Sequence, residues 1–88
     1  MKLKDSVIIS TYAEDHIAVA AGDAAKSFSG MIKMNETAAV ICENLKNDTT
    51  IDAIVDILCE KYEVERNIAL KNVENTIDVL RQTGLLEE

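Results

Sequence analysis

The chain has 88 residues, of which 48% are apolar and 28% are charged, and this composition indicates a folded domain and not a disordered segment. Sixteen acidic and nine basic residues give a formal net charge of −7, so a nucleic acid duplex or an anionic membrane is a disfavoured partner. No apolar run reaches the roughly 18 residues that a membrane span needs.

The N-terminal apolar run, at residues 7–9, is too short for the hydrophobic segment of a secretion signal. We therefore expect a cytoplasmic protein. In that compartment Cys42 and Cys59, which both fall on apolar helix faces, are expected to be reduced and packed in the core.

Three short strands are predicted in the first 34 residues. Residues 6–12 are rich in β-branched side chains and residues 15–21 alternate in polarity, so the two segments form a predicted hairpin with a tight turn between them. Residues 22–28 are predicted to be a loop. Residues 30–34 alternate again and give the third strand.

Three helices are predicted after the third strand, because the apolar period changes from two to 3.6 residues. Asn35 is the expected N-cap of the first helix, Thr49 with Asp52 caps the second, and Gly84 ends the third. The apolar stripes of the three helices are Ala38, Ile41, Cys42 and Leu45; Ile51, Ile54, Val55, Leu58, Cys59 and Tyr62; and Ala69 or Leu70, Val73, Ile77 and Leu80.

These elements predict one α+β domain over residues 1–88, with a three-stranded antiparallel sheet followed by three helices. One face of such a sheet has to be covered by the helical stripes. The strand residues expected to face the helices are Val7 or Ile9, Ile17, Val19, Ile32 and Met34.

No catalytic set, metal site or cofactor site is predicted. His16 is the only histidine, and neither a CxxC nor an HxxxH pair accompanies it. The three glycines are too dispersed for a phosphate-binding loop. The sequence therefore predicts a protein that is not an enzyme.

The predicted third strand lies at an edge of the sheet, where only Lys33 protects its free main-chain groups. An edge of this kind accepts a strand from another polypeptide, pairs with a second copy to give a homodimer, or stays unused. The residues alone leave these alternatives open.

The stretch "GMIKMNETAAVICENL" and the sequence after it resemble the PqqD family, also called the RiPP recognition element. The likeness covers nearly the whole chain and is strongest from Gly30 to Leu86. The residues that carry it are Gly30, Asn35-Glu36-Thr37-Ala38, Lys61-Tyr62-Glu63-Val64, Val73, Leu80 and Gly84-Leu85.

The resemblance implies a winged-helix-like, non-catalytic adaptor, or peptide chaperone. Such an adaptor binds the leader segment of a ribosomally made precursor peptide as an added strand and presents it to a modifying enzyme, often a radical SAM protein. Since this chain carries no enzyme domain, that enzyme is expected to be separate. A winged-helix transcription regulator or a general protein-interaction domain is the alternative, although the third helix is charge-balanced and not basic.

The peptide-binding residues implied by the resemblance lie on the third strand and the third helix. They are Phe28, Ser29, Gly30, Met31, Ile32, Lys33, Leu70, Lys71, Glu74, Ile77, Asp78 and Arg81. For Leu70 and Ile77, a place in the core is the alternative.

Overall fold

A computed structural model describes residues 1–26, 28 and 30–88, and at Tyr12 the main chain only. Its elements in chain order are β1 (Lys2–Leu3), β2 (Val7–Tyr12), β3 (Asp15–Ala20), a 3₁₀ helix (Gly22–Lys26), β4 (Met31–Met34), α1 (Glu36–Asn44), α2 (Ile51–Lys61), α3 (Arg66–Gln82) and β5 (Leu86–Glu87). The predicted α+β class and the order of three strands before three helices are confirmed. The 3₁₀ helix occupies residues 22–26 of the predicted loop at 22–28, of which Ser27 lies outside the described residues, and β1 and β5 were not predicted.

The sheet has the strand order β2-β3-β4 with antiparallel neighbours. Strands β1 and β5 form a separate antiparallel pair from the two ends of the chain. The Leu3 N–H donates to the carbonyl of Leu45, the C-cap of α1, at 2.8 Å, and this bond ties the pair to the end of that helix. The Lys4 N–H donates to the Leu85 carbonyl at 3.0 Å and extends the β1–β5 pairing by one residue. Strands of two residues have no periodicity that a sequence pattern detects.

Side-chain caps fix where α1 and α2 begin. The Asn35 side-chain oxygen accepts from the Ala38 N–H at 2.8 Å, as predicted. For α2 the predicted cap is wrong by one residue: Thr50, not Thr49, accepts from the Ala53 N–H, at 3.2 Å. Two consecutive threonines are equally good caps by residue type, so packing of the helix decides between them.

The C-terminus of α3 is a Schellman motif around Gly84, whose φ is +73°. The Leu85 N–H donates to the Leu80 carbonyl at 2.9 Å and the Gly84 N–H donates to the Arg81 carbonyl at 3.1 Å. Leu80 and Leu85 are both buried. The predicted helix stop is confirmed, and it turns the chain towards β5.

The helical stripes supply most of the core. Buried residues on the three helices are Ala39, Ile41, Cys42, Ile54, Val55, Leu58, Ala69, Val73, Ile77 and Leu80. Leu70, the alternative to Ala69, is exposed. Neither Cys42, which is buried, nor Cys59, which is half-buried, is in a disulfide.

The predicted inner face of β3 is wrong. Ala18 and Ala20 are the buried residues of this strand, while Ile17 and Val19 are half-buried on the opposite face. Small side chains at these two positions let α1 pack closely against the sheet. Because Ile and Val are more apolar than Ala, the alternation of polarity pointed to the wrong face.

Gly30 stands at the entry to β4 with φ +125°, a conformation that residues with a Cβ rarely adopt. A Cβ built there meets no atom within 4 Å, so Gly30→Ala should act through the backbone alone. We expect it to lower the free energy of unfolding by about 1 kcal/mol or more, measured by urea denaturation.

Ala13→Gly is the matched control, and its effect on the free energy of unfolding should have the opposite sign. Ala13 adopts φ +57° in the turn between β2 and β3, a conformation that glycine adopts more easily. The substitution should raise the free energy of unfolding by roughly 0.5 kcal/mol. An unchanged stability in Gly30→Ala would contradict the described entry to β4.

Candidate functional site

The main chain of β4 is paired on one side only. Ser6 and Ala21 are a hydrogen-bonded pair, since the Ala21 N–H donates to the Ser6 carbonyl at 3.0 Å. Hydrogen-bonded and non-bonded pairs alternate along antiparallel strands. The registers of β2 with β3 and of β3 with β4 extend this alternation as far as β4. The main-chain N–H and C=O groups of Ile32 and Met34 therefore point towards β3. The main chain of Met31 and Lys33 is therefore directed away from the sheet.

We call the outward N–H and C=O groups of Met31 and Lys33 the open edge. Within residues 1–26, 28 and 30–88, no other segment makes a main-chain hydrogen bond to either residue. The open edge thus offers two donors and two acceptors in the geometry of a strand that lacks its neighbour.

A groove separates β4 from α3. It contains a cavity of about 240 Å³, lined by Ala18, Ile32, Lys33, Met34, Asn35, Ala38, Cys42, Thr76, Val79 and Leu80. Most of these side chains are apolar, and Lys33 is the one charged residue among them. For scale, an apolar cavity of about 150 Å³ admits benzene. The groove therefore has room for one large apolar side chain.

Two sulfur atoms meet in the groove. The Cys42 thiol donates to the Met34 sulfur at 3.5 Å. Burial, with a smaller contribution from the Glu43 carboxylate, raises the pKa of the Cys42 thiol to about 12. The thiol is therefore neutral at physiological pH, and this part of the groove presents an uncharged, polarisable surface.

The side of α3 that faces the groove carries no charge. Thr76 and Val79 line the cavity, and Asn72 and Thr83 follow at helical spacing on the same side. Thr76 Oγ1 donates to the Asn72 carbonyl at 3.0 Å, and Thr83 Oγ1 donates to the Val79 carbonyl at 2.9 Å. These bonds satisfy both hydroxyl donors inside the helix, so the wall beside β4 is neutral.

The opposite side of α3 is charged and faces away from the groove. Arg81 NH2 is 2.7 Å from Glu88 Oε1, and Arg81 also lies 3.8 Å from Asp78 Oδ1. The hydrogen bond from Arg81 lowers the pKa of the Glu88 carboxyl below its usual value. Leu70, Lys71 and Glu74 follow at helical spacing on this side. We call it the charged side of α3.

The structure distributes the sequence-predicted site residues that it describes over five places. Ile32 and Lys33 both border the groove. Met31 and Lys33 form the open edge, and their exposed side chains lie on the outer face of the sheet. Phe28 packs against the core and Gly30 immediately precedes β4, whereas Ser29 lies outside the described residues. Ile77 is fully buried. The remaining residues on the charged side of α3 are Leu70, Lys71, Glu74, Asp78 and Arg81.

Sequence reasoning missed Met34, Ala38, Thr76 and Val79 as lining residues of the groove. The sequence of α3 contains one signal for the side that faces the groove. Between Asn72 and Thr83, the positions on one side of the helix are all uncharged, while those on the other side include Glu74, Asp78 and Arg81. On a helix this rich in charge, an uncharged side away from the core stripe indicates a covered or contact surface.

The other edge of the sheet, β2, also borders a cavity, which lies against α1 and α2. It is more charged, because Glu36, Glu43 and Lys61 line it together with His16. An apolar segment would have to displace water from several charged groups there. The groove at β4 is therefore the better candidate for apolar side chains.

In the part of the chain that the structure describes, no three His, Cys, Asp or Glu side chains are grouped so that they would hold a metal ion. None of the described helices has the length and apolar character of a membrane span.

The fold and the open edge beside a neutral groove define an α+β module suited to strand addition. Residues 11–86 match the family model of coenzyme PQQ synthesis protein D, PqqD. The chain belongs to the PqqD family, as the sequence resemblance predicted. Among curated proteins, no significant match is found.

Two solved structures share the fold. One is TbiB1 in complex with the TbiA(beta) leader peptide, with a TM-score of 0.77, 20% identity, and coverage of 99% of this chain and 95% of that chain. The other is lasso peptide synthetase B1 complexed with the leader peptide, with a TM-score of 0.74, 20% identity, and coverage of 99% and 96%. At this identity the similarity establishes the common fold.

The raised pKa of Cys42 predicts a specific loss of stability in alkaline solution. Above the ordinary thiol value of 9.0 the unfolded chain releases the proton, while the folded chain keeps it up to about 12. Between these limits the wild type should lose about 1.4 kcal/mol of stability per pH unit through this group. Urea denaturation at pH 8, 9 and 10 measures this loss.

Cys42→Ala provides the control, because it lacks the titrating thiol but keeps every other alkaline titration. The wild type should be more stable at pH 8 and should lose part of that advantage by pH 10. Parallel pH dependence in the two proteins would show that the thiol is not buried as described.

Proposed function

We propose that this protein is a non-catalytic adaptor that binds the leader segment of a ribosomally made precursor peptide at the open edge. The peptide lies as a fourth strand beside β4, with every second side chain in the groove against α3. In this position it is presented to a separate modifying enzyme, for which a radical SAM protein is our candidate. The open edge beside an apolar groove is the observation that carries the proposal.

Comparison with the solved structures supports this assignment. TbiB1 and lasso peptide synthetase B1 are each described in complex with a leader peptide. Both share the fold over 99% of this chain. Membership of the PqqD family points to the same class of biosynthetic adaptor.

Energetics explain why both the edge and the groove are needed. The open edge forms four main-chain hydrogen bonds with an added strand, each contributing about 0.5–1.5 kcal/mol. Ordering a disordered peptide costs roughly 2–5 kcal/mol. Main-chain pairing therefore about balances the cost of ordering. Burial of one large apolar side chain in the groove adds about 1.5–3 kcal/mol, and this is the term that gives net affinity.

Two exposed apolar residues of α3 form a matched pair for testing the groove. Val79 is 45% exposed in the groove, and Leu70 is 36% exposed on the charged side. Val79→Lys places a charge where the peptide side chain is buried, so it should weaken peptide binding at least tenfold. Leu70→Lys should leave binding within about twofold of the wild type. Isothermal titration with the leader peptide of the cognate precursor measures both.

If Leu70→Lys weakens binding and Val79→Lys does not, the peptide lies on the charged side of α3, as the family resemblance implied. Circular dichroism of each variant confirms that the helix content is unchanged.

Proline substitutions in β4 test which main-chain groups the peptide uses. Met31→Pro removes an outward N–H and leaves the pairing of β3 with β4 intact, so it should abolish binding with little loss of fold. Ile32→Pro removes an N–H that bonds to β3 and should lower stability by about 3 kcal/mol. Urea denaturation and leader-peptide titration together separate the two effects. Normal peptide binding by a folded Met31→Pro variant would contradict strand addition at β4.

A further inference from the structure

The outer face of the sheet carries two cross-strand rows that end at the open edge. In the first row Ile8 is opposite Val19 and Val19 is opposite Met31. Ile8 is 55% exposed and Met31 is 59% exposed, so this apolar row is open to solvent. The second row contains Ser10, Ile17 and Lys33, and it ends in a positive charge.

An added strand would extend both rows by one residue. Antiparallel addition to β4 forms hydrogen-bonded pairs at Met31 and at Lys33, because these two residues have outward main-chain groups. The peptide side chains in those pairs lie on the outer face, about 4.5–5.5 Å from their partners between Cβ atoms. The peptide residue between them is opposite Ile32, so its side chain enters the groove.

We infer that the open edge selects a three-residue pattern in the peptide: an acidic residue opposite Lys33, then a large apolar residue in the groove, then an apolar residue opposite Met31. We take the added strand as antiparallel, as both strand pairs of the sheet are, and the order then follows the peptide from its N-terminal to its C-terminal side. The inference rests on the proposed function and specifies the peptide class that the site takes.

Charge restricts the acidic residue to one position. The chain has a net charge of −7, so an acidic peptide residue is repelled at most sites on the surface. Next to Lys33 an acidic residue gains an opposite-charge cross-strand pair, which favours it about two- to fivefold over an uncharged residue.

Asp15 competes for the same ammonium group. Lys33 Nζ is 3.8 Å from Asp15 Oδ2, and both side chains are exposed. This pair lies on the side of Lys33 towards β3, so the side towards the open edge remains available. Removing the Asp15 charge should therefore strengthen the preference for an acidic peptide residue.

The test uses a phage-displayed library of twelve random residues selected against the immobilised protein. Parallel selections use Lys33→Glu, Asp15→Asn and, as a matched control away from both β4 and α3, Lys46→Glu, since Lys46 is exposed beside Glu43 after α1. Wild-type selection should enrich the acidic, large apolar, apolar order. Lys33→Glu should replace the acidic residue by Lys or Arg at the same position, Asp15→Asn should increase the acidic enrichment, and Lys46→Glu should leave the pattern unchanged.

The alternative outcomes separate this inference from the proposed function. Suppose that the selected peptides fail to bind Met31→Pro but show no charge preference beside the groove residue, or show one that Lys33→Glu does not reverse. Either result overturns the three-residue pattern and leaves the adaptor proposal in place. If the wild type enriches no peptide whose binding depends on Met31, the adaptor proposal fails and the inference fails with it.

Discussion

The proposed function depends on one constraint, the four outward main-chain groups of Met31 and Lys33. Antiparallel pairing with β3 satisfies the main-chain hydrogen-bonding groups of Ile32 and Met34 and directs those of Met31 and Lys33 outward. A short strand at the end of a sheet is exposed to unwanted pairing, and natural edges are protected by charge, proline or a covering segment. Here Lys33 supplies charge, and in the proposed complex the groove beside β4 supplies the apolar contact that distinguishes a specific partner from a chance one.

The surface of α3 has three sides with different surroundings. One stripe, Ala69, Val73, Ile77 and Leu80, is buried and anchors the helix to the core. Another, with Thr76 and Val79, is neutral and faces the groove. The charged side pairs with Glu88, which follows β5, through Arg81. Strands β1 and β5 pair the two ends of the chain, and the Leu3 N–H of β1 donates to the Leu45 carbonyl at the end of α1.

Much of this architecture was predictable from the sequence, because the helical stripes are strongly periodic and the end signals at Asn35 and Gly84 are local. The inner face of β3 was not predictable. Ile17 and Val19 alternate with alanines, and such a pattern favours Ile17 and Val19 as the inner residues whichever face the helices cover. The groove side of α3 was also missed, since helical periodicity identifies the buried stripe but not which flank of it faces β4. That choice depends on how the helix packs across the sheet, which is a tertiary property.

Amide hydrogen exchange at β4 tests the open edge most directly, residue by residue, with and without a peptide selected by the protein. In the free protein we predict slow exchange at Ile32 and Met34, whose N–H groups bond to β3, and fast exchange at Met31 and Lys33. Saturation with the peptide should slow Met31 and Lys33 and leave the other two unchanged. Slow exchange at Met31 and Lys33 in the free protein, or fast exchange there in the complex, would contradict strand addition at this edge.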